Sequence, residues 1–349
     1  MEKVSVLAIT KNGIGIGAKL KEIFPDWNIY APSKFSNDKE IIWYSEPTSE
    51  KIIDLFKNNK ALICLFSLGA VIRLIAPYLK DKKNDPAVIV IDDKTNFVIS
   101  VLSGHLGGAN ELTQTIAKKL NSIPVITTAA DVNKTIAVDL LGRDLGWKID
   151  DDSTVTKVSA YMVNEEKIGV YQDAGKLNWF KDLPKNVKIY DSFHDLKKSD
   201  CKGHLIISDK IIKDDFLKDS VIYRPPSLVI GVGLHWDTPK DTIKDGIEIC
   251  LKKFNLSQKS VAKLVSIKKP KDAQGLIDIG KEMEIPVEYV EREELAQISA
   301  PNPSETVKDF EGTSSVSEAA AIKVSGGNLV VEKQKFPPNL TIAIARILD

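Results

Sequence analysis

Residues 100 to 113, Ser100-Val-Leu-Ser-Gly-His-Leu-Gly-Gly-Ala-Asn-Glu-Leu-Thr113, combine a titratable side chain with the backbone freedom that acyl chemistry needs. Gly104, Gly107 and Gly108 let backbone amides approach a ligand, and a helix opening behind them offers unpaired N–H donors and a positive dipole end. His105 sits inside this turn, and imidazole is the side chain whose proton exchange is centred nearest neutrality. The pattern predicts an anion or oxyanion site. In it His105 is the acid/base, the Gly107 and Gly108 amides face an oxyanion or a carboxylate, and Asn110 orients either one. Ser103 offers a second arrangement as the nucleophile of a serine–histidine pair, although no Gly-x-Ser-x-Gly elbow surrounds it.

Other residues can bind rather than react. Arg73 follows an apolar run and a glycine, where a guanidinium can grip a carboxylate bidentately. Asp85, Asp92 and Asp131 each stand beside a strand end, and Asp131 is the acid expected to orient His105. Near the C-terminus, Ser315 and Glu318 have capping-box spacing. Gly231 and Gly233 precede His235 and Trp236, which suit contact with a flat ligand.

These residues need elements to hold them. Short runs rich in β-branched residues at Val4–Ile9, Ala61–Phe66, Ala87–Ile91, Phe97–Leu102 and Pro124–Ile126 read as strands. Helix-period segments such as Leu112, Ile116 and Leu120 lie between them. The fold class is therefore α/β, with several domains and largely parallel or mixed sheets joined by helical crossovers. Three regions are expected: 1–135, which carries the glycine turn; 136–226, with helices over Ala137–Leu145 and Thr154–Asn164 and a strand over Ile168–Tyr171; and 227–349. The boundary before the last falls at Pro225-Pro226. That region opens with a strand into Gly231-Val-Gly233, then Thr238 as helix cap with Pro239 at the first helical position. Strands follow at Val261–Ile267, Val287–Val290, Leu329–Glu332 and Leu340–Ile347.

Composition narrows the function classes. Forty-eight basic and 48 acidic residues give no net charge to draw the chain to nucleic acid or an anionic membrane. Cys64, Cys201 and Cys250 are scattered and form no CxxC pair, which argues against a disulfide framework or a cysteine-built zinc site and points to a reducing, cytoplasmic compartment. No apolar stretch approaches membrane-spanning length. The four histidines are dispersed, so no protein-built metal site is expected.

Ser103-Gly-His-Leu-Gly-Gly-Ala-Asn110 resembles the central signature of the CbiG family of cobalamin biosynthesis. Gly69-Ala-Val-Ile-Arg-Leu-Ile-Ala-Pro77, Asp85-Pro-Ala-Val-Ile-Val-Ile-Asp92 and Pro124-Val-Ile-Thr-Thr-Ala-Ala-Asp131 extend the likeness, and Ser315-Val-Ser-Glu-Ala-Ala-Ala321 is similar to the signature of CobE-like domains. The resemblance spans nearly the whole chain. It implies a hydrolase that opens the ring A acetate lactone of cobalt-precorrin-5A and releases acetaldehyde, leaving cobalt-precorrin-5B. The cobalt would arrive inside the substrate, with no separate cofactor. Arg73, Gly104, Gly107, Gly108, Glu111, Thr127, Thr128, Gly231, Gly233, His235, Ser315 and Glu318 are then the expected substrate contacts. Self-association and transient contacts with other enzymes of the pathway fit the same picture. The stretch after Gly233 departs from the family, where cysteine and basic residues are expected.

Two rivals remain at this level. Gly13-Ile-Gly15-Ile-Gly-Ala18 has the spacing of a dinucleotide fingerprint. The next strand ends at Tyr30-Ala-Pro-Ser with no acid for a ribose hydroxyl, so the glycines read as a tight turn. A non-catalytic corrinoid carrier is the other.

Overall fold

The computed structural model describes residues 3–36, 40–81, 84–105, 107–128, 135–150, 153–179, 182–213 and 215–348. The chain divides into two compact units, 1–140 and 141–349, and its sheets are those of a multi-domain α/β protein.

The first unit is built on seven strands: β1 (Val4–Ala8), β2 (Asn28–Pro32), β3 (Ile42–Tyr44), β4 (Ala61–Leu65), β5 (Ala87–Ile91), β6 (Phe97–Leu102) and β7 (Ile123–Val125), in the order β3-β2-β1-β4-β5-β6-β7. Helices cover both faces. Val6, Ile63 and Ile89 pack on the face of α1 (Lys11–Ile23) and α4 (Ala109–Leu120), while Leu7, Leu62 and Val88 pack on that of α2 (Thr48–Asn58) and α3 (Leu68–Ile75).

The fingerprint-like glycines are not a tight turn but part of α1, whose buried positions Gly13, Ile14, Gly17 and Leu20 follow helical spacing. A Cβ on Gly17 would lie 2.8 Å from Ile29 Cγ2, and one on Gly13 would lie 3.0 Å from Leu65 O. Glycine there lets the helix lie close on the sheet.

β1 to β5 are parallel to their neighbours, but β6 runs antiparallel to β5. The link is too short for a crossover, since parallel strands need a dozen or more connecting residues. Instead Asp92 closes a turn by accepting from Phe97 N (2.6 Å) and Lys94 N (3.2 Å). β7 then pairs parallel to β6 through α4. The loops leaving β6 and β7 therefore emerge at the edge where β5 begins, opposite the carboxyl ends of β1 and β4.

The second unit holds two five-stranded sheets. One has the order β10-β9-β11-β12-β8, from β8 (Lys148–Ile149), β9 (Ile168–Gln172), β10 (Val187–Tyr190), β11 (Gly203–Ile207) and β12 (Ser220–Arg224), with helices α5 (Ser153–Val163) and α6 (Phe193–Lys198). Residues 138–142 form turns and Arg143–Leu145 a 3₁₀ turn where a helix over 137–145 was expected; Gly142 and Gly146 take left-handed backbone on either side.

The other sheet, β15-β14-β13-β17-β16, comprises β13 (Leu228–Leu234), β14 (Val261–Ile267), β15 (Val287–Val290), β16 (Leu329–Phe336) and β17 (Leu340–Arg346). Its helices are α7 (Lys240–Lys253), α8 (Gln274–Glu282), α9 (Arg292–Ala296), α10 (Glu305–Glu311) and α11 (Val316–Ser325). β13 to β15 are parallel, and β17 runs against β13. Ile230 and Val232 pack with α7 and α8, while Val229 and Val265 pack with Ala319 and Ala320 of α11. The two sheets are tied through Asp209, fully buried, which receives Arg346 Nε (2.8 Å), Arg346 Nη2 (2.7 Å) and Ser227 Oγ (2.9 Å).

Candidate functional site

Leaving β6, the chain enters the glycine turn at Ser103, whose φ of 55° lies in the left-handed region. The conformation is held by a closed set of bonds. Ser103 Oγ donates to Asp85 O (2.8 Å), Ala109 N to Ser103 O (3.2 Å), Asn110 N to Gly104 O (2.9 Å) and Gly108 N to His105 O (3.0 Å). The buried Asn110 side chain accepts from Ser100 Oγ (2.6 Å) and donates to Thr128 Oγ1 (2.9 Å), so it joins the ends of β6 and β7. Small residues are required. A Cβ on Gly104 would lie 2.7 Å from Asn110 Oδ1, one on Gly107 would lie 2.4 Å from Ser103 Cβ, and Gly108 has a φ of 79°.

These bonds assign roles. Asn110 is a structural strut, and the Gly108 amide, expected to face an oxyanion, is turned to His105 O. Ser103 spends its proton on a carbonyl, an arrangement that leaves its hydroxyl unactivated. His105 remains as the titratable group, and its Nδ1 stands 3.6 Å from Asp139 Oδ1 with both side chains mostly buried, 14% and 18% exposed. Asp131, expected to orient the imidazole, lies outside the described residues. Asp139 stands beside the imidazole, and local sequence gave no sign of it because the contact depends on how the chain returns after β7.

The turn thus brings together Ser103, Gly104, His105, Gly107, Gly108, Asn110 and Thr128. Glu111 is exposed on the first turn of α4, favourably placed against the helix dipole, and Thr127 is exposed beside Thr128. Arg73 lies on the exposed last turn of α3, its Nη1 donating to Gly69 O of the same helix (3.3 Å). Asp85 uses its carboxylate on Lys80 N (3.0 and 3.1 Å).

In the second unit, Gly231 and Gly233 admit α11 against β13: a Cβ on Gly231 would lie 1.9 Å from Ser317 O. His235 is exposed and hydrogen-bonds Asp237, and the contact holds the Asp237 carboxyl below its ordinary range. The capping box does not form. The Ser315 side chain makes no cap bond, while Glu318, fully buried, accepts from Asn302 N (3.1 Å), Asn302 Nδ2 (2.8 Å) and Lys333 N (3.0 Å). Burial pushes the Lys333 ammonium below its usual range. Thr238 does not cap α7 either, since Pro239 is the cap residue and Thr238 Oγ1 is buried without a partner. Among the described residues no group of three His, Cys, Asp or Glu side chains converges to hold a metal ion, and no helix is long and apolar enough to cross a membrane.

Comparison with known proteins gives three family matches along the chain: Cobalamin synthesis G N-terminal over residues 50–131, Cobalamin biosynthesis central region over 136–225, and Cobalamin synthesis G C-terminus over 228–345. A cobalt-precorrin-5A hydrolase of Priestia megaterium is 42% identical, the match covering 98% of this chain and 94% of that protein. One of Salmonella typhimurium is 29% identical over 95% of this chain and 94% of its own. Among solved structures, a cobalamin biosynthesis protein G homolog from Sulfolobus solfataricus is 25% identical, with 99% and 97% coverage and a TM-score of 0.39.

Proposed function

The chain belongs to the CbiG family, and from that premise we propose that it is a cobalt-precorrin-5A hydrolase that opens the ring A acetate lactone and releases acetaldehyde to give cobalt-precorrin-5B. The observation that carries the chemistry is the His105 imidazole paired with Asp139 on a turn fixed at the mouth of α4. Asp139 sets the ring orientation while His105 takes a proton from water. Water attacks the lactone carbonyl and the ester C–O bond breaks, leaving the acetate as a carboxyl group and an alcohol on the former bridging carbon. His105 serves again by removing the alcohol proton. The C–O becomes a carbonyl, the C–C bond to the macrocycle breaks, and its electron pair and a proton pass to the ring.

In this reading Arg73, Glu111, Thr127 and Thr128 frame the substrate in the first unit, and cobalt enters chelated by the corrinoid with no resident cofactor. We take 1–135, 136–226 and 227–349 as the working modules. The thiols support a cytoplasmic, reducing setting: Cys64 and Cys250 are buried and unpaired, and burial pushes the Cys250 pKa up to about 11. The partner is the small-molecule corrinoid rather than nucleic acid or membrane; self-association and passing contacts with other pathway enzymes are compatible with it.

The test is incubation of purified protein with the cobalt lactone in the absence of any partner enzyme, with acetaldehyde as the readout. Release is expected. Binding without release would make the chain a carrier.

A further inference from the structure

We propose that the carboxyl edge of the C-terminal sheet is a carboxylate-binding crevice in its own right, which grips an anionic arm of a flat ligand while Trp236 meets the ring. The identity of the ligand, a corrinoid bearing carboxylates, rests on the reading above; the site itself rests on unmet hydrogen-bonding capacity.

Loops leaving the parallel strands β13 and β14 open α7 and α8, and a Cβ on Gly233 would lie 3.6 Å from Ser317 N at the start of α11. None of these three helices has a side-chain cap bond. Pro239 and Ala273 cannot supply one and Ser315 does not; α2, α3, α4 and α9 lack one as well. Uncapped helix N-termini present amide donors and positive dipole ends to an anion.

The hydroxyls around them point the same way. Thr238 Oγ1, Ser315 Oγ and Ser317 Oγ are buried with no hydrogen-bond partner, and an unsatisfied buried hydroxyl is destabilising. Of the three, Thr238 lines the cavity at this edge, where a ligand can complete it. A cavity of about 290 Å³ opens there between the two loops, with Trp236, Thr238 and Lys271 in its wall. Trp236 is 43% exposed. Lys271 Nζ stands 4.1 Å from its ring centroid, a cation–π contact from which the ammonium can swing to a carboxylate. Asp237, Asp272 and Asp278 also line the cavity; His235 engages Asp237 and Gln274 engages Asp278.

The experiment uses the full chain and two stable cobalt corrinoids, cobyrinic acid with its free carboxylates and cobinamide with amides in their place. Calorimetric titration should show cobyrinic acid binding weakened about tenfold by Lys271→Met and by Trp236→Ala, and more weakly by Ser315→Ala. Cobinamide should bind poorly, with little further loss in Lys271→Met. Lys271 and Trp236 are exposed, so unchanged melting temperatures are expected for both variants. Wild-type affinity for cobyrinic acid in Lys271→Met and Trp236→Ala would overturn the proposal. Acetaldehyde release from cobalt-precorrin-5A is followed in parallel. If the variants lose binding while wild-type protein releases no acetaldehyde, the crevice stands and the hydrolase reading falls; if release is normal and binding is indifferent to both substitutions, the reverse holds.

Discussion

The glycine turn of the first unit and the edge of the C-terminal sheet are both strand-to-helix junctions with glycines and hydroxyls, yet they treat their polar groups in opposite ways. At the turn, Ser103, Asn110, Ser100 and Thr128 are hydrogen-bonded to one another or to backbone, with Thr113 buried and unpaired further along α4, and the His105 imidazole stands beside Asp139. At the sheet edge, Thr238, Ser315 and Ser317 are buried and unpaired. A region with its bonds closed is a rigid mount for one titratable group and suits chemistry. A region with its bonds open holds binding capacity in reserve.

The largest effect that would break this contrast concerns His105→Ala. Turnover should fall about 10²-fold or more, the usual contribution of a positioned acid/base, with corrinoid binding and melting temperature near wild type. Single-turnover acetaldehyde release and melting, taken on one preparation, decide it. A variant that melts early but turns over normally would make the histidine structural and move the test to Asp131.

In the proposed mechanism Asp139 positions the imidazole, so Asp139→Asn should lower kcat by about 10- to 100-fold at nearly constant KM. Asp139→Glu should recover part of the loss. Equal activity in all three proteins would separate the carboxylate from the imidazole's work.

The strut should appear in stability rather than in rate. Asn110→Ala removes the side-chain bonds to Ser100 and Thr128 at a buried position and should cost about 2 kcal/mol, read from urea unfolding of the first unit's transition. The smallest difference is the sharpest comparison. Ser103→Ala should cost about 1 kcal/mol because a made bond is lost. Ser315→Ala should cost nothing or stabilise slightly, since it deletes a hydroxyl with no partner, and its loss should surface only as weaker corrinoid binding. Equal costs for the two serines would erase the distinction between closed and open junctions.

Much of the frame was readable in the sequence because β-branched runs report buried strands locally. Ala87–Ile91, Phe97–Leu102, Val261–Ile267 and Val287–Val290 coincide with β5, β6, β14 and β15. α1 was misread, since glycine marks turns in local pattern and only the proximity of β2 and β4 explains its place in a helix. β10 was obscured by its half-exposed, charged character. The turn residues around His105 were legible as a contiguous motif. Asp139, and the meeting of Trp236 with Lys271, were not, because each joins segments far apart in sequence through the path of the fold.

The buried Asp209 clamp governs where this chain can be cut. Pro225-Pro226 looks like a natural seam, but a fragment ending there would retain a fully buried carboxylate and lose the Arg346 guanidinium and Ser227 hydroxyl that answer it. Breaking such a pair from one side costs about 3–5 kcal/mol, comparable to the stability of a small domain. Residues 141–349 should therefore melt in a single cooperative step. Trimming the tail past Arg346 would loosen the middle sheet as well as the last one, whereas a tag added after Leu348, which is 73% exposed, leaves the clamp intact.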